Sequence, residues 1–162
     1  MSLTLHTNLG DIKIELFCED VPKNCKNFLA LAASGKYDNT VFHRNIKGFI
    51  VQGGASKEAT KKSASVHGGY IEDEFVESLR HDRRGIVSMA NGKGGNKNGS
   101  QFFITYAAQR TLDGNQVVIG KVIYGEETLD AMEKVPVDKN NTPLEDIVIK
   151  SVTIHANPFA TR

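Results

Sequence analysis

Apolar and polar residues alternate from the start of the chain. Leu3 and Leu5 interleave with Ser2, Thr4 and His6, Asn8-Leu9-Gly10 supplies a turn, and Ile12, Ile14 and Leu16 interleave with Lys13, Glu15 and Phe17. A period of two buries one face and wets the other, so the pattern predicts an opening β-hairpin. The period then lengthens. Cys25, Phe28, Leu29 and Ala32 recur at helical spacing, with Pro22 suited to the first turn and Gly35 to the C-terminal cap, which predicts a helix from about Pro22 to Ser34. Val41 to Arg44 and Phe49 to Gln52 read as short strands. Between Gly53 and Tyr70 the apolar period disappears, and Lys57 to Ser65 reads as a long surface loop. Strand patterns return at Gly85 to Ala90 and at Gln101 to Thr105, on either side of a glycine-rich loop from Gly92 to Gly99. Leu112-Asp113-Gly114-Asn115 signals a turn, and Val117 to Ile123 a further strand. Leu129, Met132 and Glu133 mark a second helix over Glu126 to Lys134, with Pro136 as its stop, and Ile147 to Ile154 alternates once more. Many short strands, two helices and no repeated βαβ period predict a mainly β fold, an antiparallel barrel or sandwich with helices as end caps.

With 162 residues and 40% hydrophobic content, residues 1–162 are expected to form one domain. Lys plus Arg is 20 against 19 for Asp plus Glu, so no broad field points at nucleic acid or an anionic membrane. Two local basic clusters, Lys57, Lys61 and Lys62 in one and Arg80, Arg83 and Arg84 in the other, read as solvated loop surface. Cys18 and Cys25 form no disulfide framework and read as small buried hydrophobes. His6, His43, His67, His81 and His155 are scattered without ligand spacing, so no metal is expected. The N-terminus has neither a signal nor a transit pattern, and the apolar runs fall far below the roughly 20 residues needed to span a bilayer.

Candidate chemistry sits in three separated stretches: Phe42-His43-Arg44, Gly48-Phe49-Ile50-Val51-Gln52-Gly53, and Asn98-Gly99-Ser100-Gln101-Phe102-Phe103-Ile104-Thr105. In an extended Gln101 to Thr105, Phe102 and Ile104 can enter the core while Gln101 and Phe103 share the opposite face. With Phe49 and Leu112 flanking Phe103, this makes a shallow apolar slot edged by amides and one guanidinium. From composition alone, Phe49, Phe103 and Leu112 read first as ordinary core residues.

The order of these motifs resembles the cyclophilin family of peptidyl-prolyl cis-trans isomerases. Phe42-His43-Arg44, Gly48 to Gly54, Met89-Ala90-Asn91, Asn98 to Thr105, Leu112-Asp113-Gly114 and Gly120-Lys121-Val122 all match, over almost the whole chain. Thr4-Leu5-His6-Thr7, Gly10 to Glu15, and Ile154 to Phe159 look most like the cyclophilin J type, the short single-domain cyclophilins associated with spliceosomes. The resemblance implies a closed eight-stranded antiparallel β-barrel capped by two α-helices, with a proline groove on its outside. It implies a monomer without cofactor or metal. Its expected partners are proline-containing peptides and proteins, with spliceosomal proteins among them. It also implies residence in the nucleus and secondarily the cytoplasm, since the sequence carries no address of its own. By position, Arg44 matches the catalytic arginine and Gln52 and His43 its neighbours. Phe49, Ile50, Phe103 and Leu112 match the proline pocket, and Ala90, Asn91 and Gln101 the wall that holds the adjoining peptide.

The reaction explains why these residue types belong together. An X-Pro bond resists rotation by about 18 to 20 kcal/mol because the nitrogen lone pair is delocalised into the carbonyl, and uncatalysed exchange takes tens of seconds or longer. An arginine beside the prolyl nitrogen can donate to that lone pair as the amide twists, an interaction absent from the planar ground state. It stays charged at any working pH and carries several rigidly placed donors. Gripping the ring with Phe49, Phe103 and Leu112, while Gln52 and the Asn91 backbone hold the flanking carbonyl, leaves one side of the bond free to swivel.

The chain departs from the family pattern at several places. Thr111 stands where tryptophan is common, Gln116 on the substrate-facing wall where histidine is common, and Ile119 where phenylalanine is common. The lower wall at Thr111 predicts weak binding of cyclosporin-like macrocycles. Ala55 follows Gly54, and Ala59 to Ala64 replaces a glycine-rich loop, which predicts a remodelled secondary subsite. Lys93-Gly94-Gly95 lengthens the loop after Asn91 by one residue relative to the family. These changes keep a second reading in view, a proline-binding scaffold of the spliceosome that isomerises weakly. A small-molecule-carrying barrel fits less well, because Phe17, Phe102 and Ile104 would fill its interior.

Overall fold

A computed structural model describes residues 1–55, 64–66 and 68–155. Nine strands form one antiparallel sheet: β1 (Ser2–Thr7), β2 (Gly10–Leu16), β3 (Thr40–Val41), β4 (Arg44–Ile46), β5 (Ile50–Gly53), β6 (Ile86–Asn91), β7 (Asn98–Thr105), β8 (Val117–Tyr124) and β9 (Val148–Ile154). Two helices, α1 (Pro22–Ala33) and α2 (Glu126–Glu133), complete the architecture. The opening hairpin and both helices lie where the sequence periods place them.

The strand order is β3-β9-β1-β2-β8-β6-β7-β5-β4, so the fold is mainly β with two helices, and its sheet has nine strands rather than eight. The extra strand arises at Val41 to Arg44, read above as one element. There the chain leaves β3 at one end of the order and enters β4 at the other, and Phe42 and His43 alone bridge the two. Three residue steps reach at most about 11 Å, so the sheet must curl until its ends are neighbours. An isolated antiparallel bridge joins Val41 to Ala55. The Phe42 N–H is taken by the Ile147 carbonyl at 2.8 Å and the Asn45 N–H by the Asn141 carbonyl at 2.8 Å, which breaks the local ladder. No short-range pattern encodes those partners, because they lie about a hundred residues away along the chain.

Register sorts the side chains into inner and outer rows. Val51, Ile104 and Val87 are cross-strand partners, as are Gly53, Phe102 and Met89, and these rows line the closely packed interior. Phe102 sits at its centre, with ring centroids 5.2 Å from Phe28, 5.5 Å from Tyr37 and 5.9 Å from Phe42. Steep interplanar angles of 75° to 85° put ring edges against ring faces, the favoured aromatic geometry. Phe17, expected inside, lies only partly buried at the margin of this core. Gly54, with φ of 88°, turns the chain over β7 where a Cβ would meet the Ser100 carbonyl at 2.6 Å, so only glycine fits there.

Candidate active site

The outer rows bring the candidate residues together. Arg44 pairs with Gln52 across β4 and β5, Gln52 with Phe103 across β5 and β7, and Phe103 with Ser88 across β7 and β6. Directly paired residues share a face, so the guanidinium-bearing residue, the amide and the ring stand in one line on the outside of the sheet. Ile50 pairs with Thr105 in the next outer row. Gln101, two residues from Phe103 on the same face, accepts from Gln52 Nε2 through its Oε1 at 3.0 Å. Three stretches that are separate in sequence are thus assembled by strand pairing alone.

Arg44 is exposed and has neither a hydrogen bond nor an ion pair with any described residue. Arg84 bridges Glu126, Asp130 and Glu133 of α2, with its guanidinium carbon 5.4 Å from the Tyr106 ring centroid. Burial alone would raise the Glu133 carboxyl, but the Arg84 guanidinium and the Gly48 N–H, 2.8 Å away, hold it below the ordinary range. Asn45 Nδ2 donates to the Met132 carbonyl at 2.8 Å and Tyr106 Oη to Asn45 Oδ1 at 2.7 Å. The C-terminal end of α2 therefore holds β4 and the turn of the β4-β5 hairpin, which carries Arg44 and Phe49. The basic cluster at Arg80, Arg83 and Arg84 is in part a structural brace rather than plain solvated surface.

Phe103 is expected to present a ring outward, yet it is only 3% exposed. His81 explains the difference. This fully buried ring stacks on Phe103 at 5.9 Å with an interplanar angle of 18°. Its Nδ1 lies 2.8 Å from Asp113 Oδ1, which also accepts the His81 backbone N–H at 2.7 Å, and Nε2 lies 3.0 Å from Ser88 Oγ. Burial pushes the imidazole below its ordinary value more than Asp113 lifts it, and Ser88 Oγ in turn donates to the Val117 carbonyl at 2.9 Å. Asp113, despite some burial, is held below the ordinary carboxyl value by the two His81 bonds. Periodicity gives no hint of this pair, whose members are 32 residues apart. Leu112, half-buried, closes a single 3-10 turn at Arg110–Leu112 beside them.

His43 is half-buried with Nδ1 unpartnered among the described residues, and burial together with the adjacent Arg44 lowers its basicity. Phe49 is half-buried and fixed by its N–H to the Ile46 carbonyl at 2.9 Å and by its carbonyl to the Tyr106 N–H at 2.8 Å. Ala90 and Asn91, both half-buried, end β6 at a register shift. Asn91 Nδ2 donates to Asp73 Oδ1 at 2.8 Å, and Asn91 Oδ1 accepts the Lys97 N–H at 3.0 Å. Asp73 also receives Asn98 Nδ2 at 2.8 Å and the Asn96 N–H at 3.0 Å, so it locks the lengthened loop after Asn91. Sequence reading missed this acidic hub because Asp73 lies in an aperiodic stretch. Gln116 stands opposite Asn91 and accepts its backbone N–H at 2.8 Å. The remodelled stretch from Ala59 to Ser63, the Lys57, Lys61 and Lys62 cluster, His67 and the C-terminal match from Ala156 to Phe159 lie outside the described residues. Among the described residues no helix is long and apolar enough to cross a membrane.

His81 and His43 give acid sensitivity a definite sign. Each binds its proton less readily folded than unfolded, so unfolding takes up protons and stability falls as pH drops below about 6.5. The melting temperature is expected to be level above about pH 7 and to decline toward pH 5. A melting temperature that rises on acidification would overturn that sign.

The model of the cyclophilin-type peptidyl-prolyl cis-trans isomerase family matches residues 2–154. Peptidyl-prolyl cis-trans isomerase-like 3 of Gallus gallus is 60% identical over 161 residues, and that of Homo sapiens 58%, each covering 99% of both chains. A cyclophilin-type peptidyl-prolyl cis-trans isomerase of Cryptosporidium parvum, solved in the presence of the dipeptide Ala-Pro, superposes with a TM-score of 0.92 at 52% identity, covering 97% of this chain and 100% of that one. The order of the motifs, the curled nine-stranded sheet and these full-length likenesses agree: the chain belongs to the family of cyclophilin-type peptidyl-prolyl cis-trans isomerases.

Proposed function

We propose that Arg44 is the catalytic group of this isomerase and that the row Arg44, Gln52, Phe103 is the axis of its X-Pro site. The observation that carries the proposal is a cation without a partner among the described residues, in strand register with an amide and an apolar ring. Phe49, Ile50, Phe103 and Leu112 take the proline ring, Ala90, Asn91 and Gln101 line the path of the preceding residues, and His43 packs as neutral support. As the bond twists, the prolyl nitrogen becomes pyramidal and gains a lone pair, and the guanidinium donates to it. Gln52, tied to Gln101, offers its remaining donor capacity to the adjoining carbonyl. The ring is held while the acyl side turns. In the same reading the domain is one barrel, closed at the Val41–Ala55 seam.

The substrate class is a proline-containing peptide or protein, a reading supported by the relative solved with Ala-Pro. Thr111 lowers one wall of the slot, so titration calorimetry with a cyclosporin is expected to give weak binding; a tight complex would remove Thr111 from this account. Nuclear residence and docking on spliceosomal proteins rest on the likeness to the short spliceosome-associated type. Co-fractionation with spliceosomal protein tests that part separately.

A scaffold that binds proline without turning it is the competing reading, favoured by the altered wall at Thr111 and Gln116. Two-dimensional NMR exchange on an Ala-Pro-containing peptide, with its dissociation constant measured on the same sample, separates them. Saturable acceleration of cis-trans exchange supports the isomerase; binding without acceleration supports the scaffold.

A further inference from the structure

We propose that Gln116 caps the peptide-anchoring edge of β6 with its own side-chain carbonyl and so sets how strongly this isomerase grips the residues before proline. The inference rests on the X-Pro site assigned above. Strand β8 covers β6 only as far as Met89, which pairs with Val117. Beyond that point the β8 side of β6 has no strand neighbour among the described residues, and it is there that the Asn91 N–H meets Gln116, the residue just before β8. An open strand edge with an outward N–H is where an extended peptide adds by backbone pairing. Its carbonyl would seek the donor that Gln116 Oε1 now holds at 2.8 Å.

The donor is rigid and the acceptor is not. Asn91 is fixed by Asp73 at 2.8 Å, by the Asn115 carbonyl at 3.1 Å and by the Lys97 N–H at 3.0 Å. Gln116 is half-buried, its backbone N–H rests on the Leu112 carbonyl at 3.1 Å, and the bond to Asn91 is the only side-chain bond it makes among the described residues. A glutamine amide carbonyl has the dipole and acceptor geometry of a peptide carbonyl, so the exchange is one for one. The substrate carbonyl gains little, because it replaces a bond already made rather than satisfying a bare amide. The chain thereby discounts contacts along the peptide and leaves selection mainly to the proline ring.

The test compares acetyl-Ala-Ala-Pro-Ala-amide with the bare dipeptide Ala-Pro on the full chain, titrated by NMR against wild type, Gln116→Ala and Gln116→Glu. In Gln116→Ala the preference for the longer peptide over the dipeptide is expected to grow about three- to tenfold, the worth of one uncompensated hydrogen bond. The Asn91 amide of the free variant should shift and exchange with solvent faster than in wild type. Gln116→Glu keeps an acceptor in place and should gain no such preference, which distinguishes capping from a loosened wall. An unchanged or reduced preference in Gln116→Ala, or an unmoved Asn91 amide, overturns the proposal. Absence of catalysed exchange in wild type would instead overturn the isomerase assignment of the site, while the titration and the Asn91 amide would still decide the cap.

Discussion

Replacing Arg44 by alanine is expected to lower kcat/KM for an X-Pro peptide by about a hundred- to a thousandfold while leaving the fold intact. The magnitude follows from the role. A preorganised donor aimed at charge that develops only in the transition state contributes about 3 to 4 kcal/mol, and about 1.4 kcal/mol is a factor of ten. Most of the loss should appear in kcat, because the planar ground state has no lone pair to bond. Stability should change by less than about 0.5 kcal/mol, since an exposed arginine without partners among the described residues anchors nothing. Arg44→Lys keeps the charge but loses the planar fork and should recover only part of the rate. NMR exchange on an Ala-Pro peptide measures the effect, and thermal unfolding checks the fold. A variant that isomerises like wild type removes Arg44 from the mechanism.

Two adjacent phenylalanines should fail in different ways. Phe102→Ala opens a cavity among Phe28, Tyr37 and Phe42, and such truncations remove about 3 to 5 kcal/mol from a total stability of about 5 to 15. A fall in melting temperature on the order of 10 °C follows for a chain of this size. The molecules that remain folded should still isomerise, because the outer row is untouched. Phe103→Ala removes the ring buried against His81 beside Gln52, so it too should lose stability, but its activity per folded molecule should collapse through weaker binding. Calorimetry together with kcat/KM per folded protein separates the two. Equal losses of activity per folded molecule would mean that the inner and outer rows are not independent.

That contrast marks what could be read without coordinates. Alternation alone places Phe102 and Phe103 on opposite faces, and the register bears this out. It does not say what covers the outer face. His81 buries Phe103, Asp113 and Ser88 hold His81, and Asp73 locks the loop after Asn91. Each of these bonds joins residues with no common period, so no window of sequence contains the signal. The same holds for β3 and β4, which look continuous in Val41 to Arg44 but take partners from opposite ends of the sheet.

The sequence by itself determined the local elements and the residue types offered for the proposed site. Periods of two and of 3.6 follow from backbone geometry, and motifs in fixed order specify residue types whatever their distance apart. The tertiary structure decided which groups are free and which are engaged. Among the described residues Arg44 stands unpaired while Arg84 is surrounded by three carboxylates, and the Asn91 amide is taken by Gln116. Hydrogen-bond and charge pairing depend on distances of a few ångströms across a curled sheet, which the linear order of residues leaves undetermined until the strands close on one another.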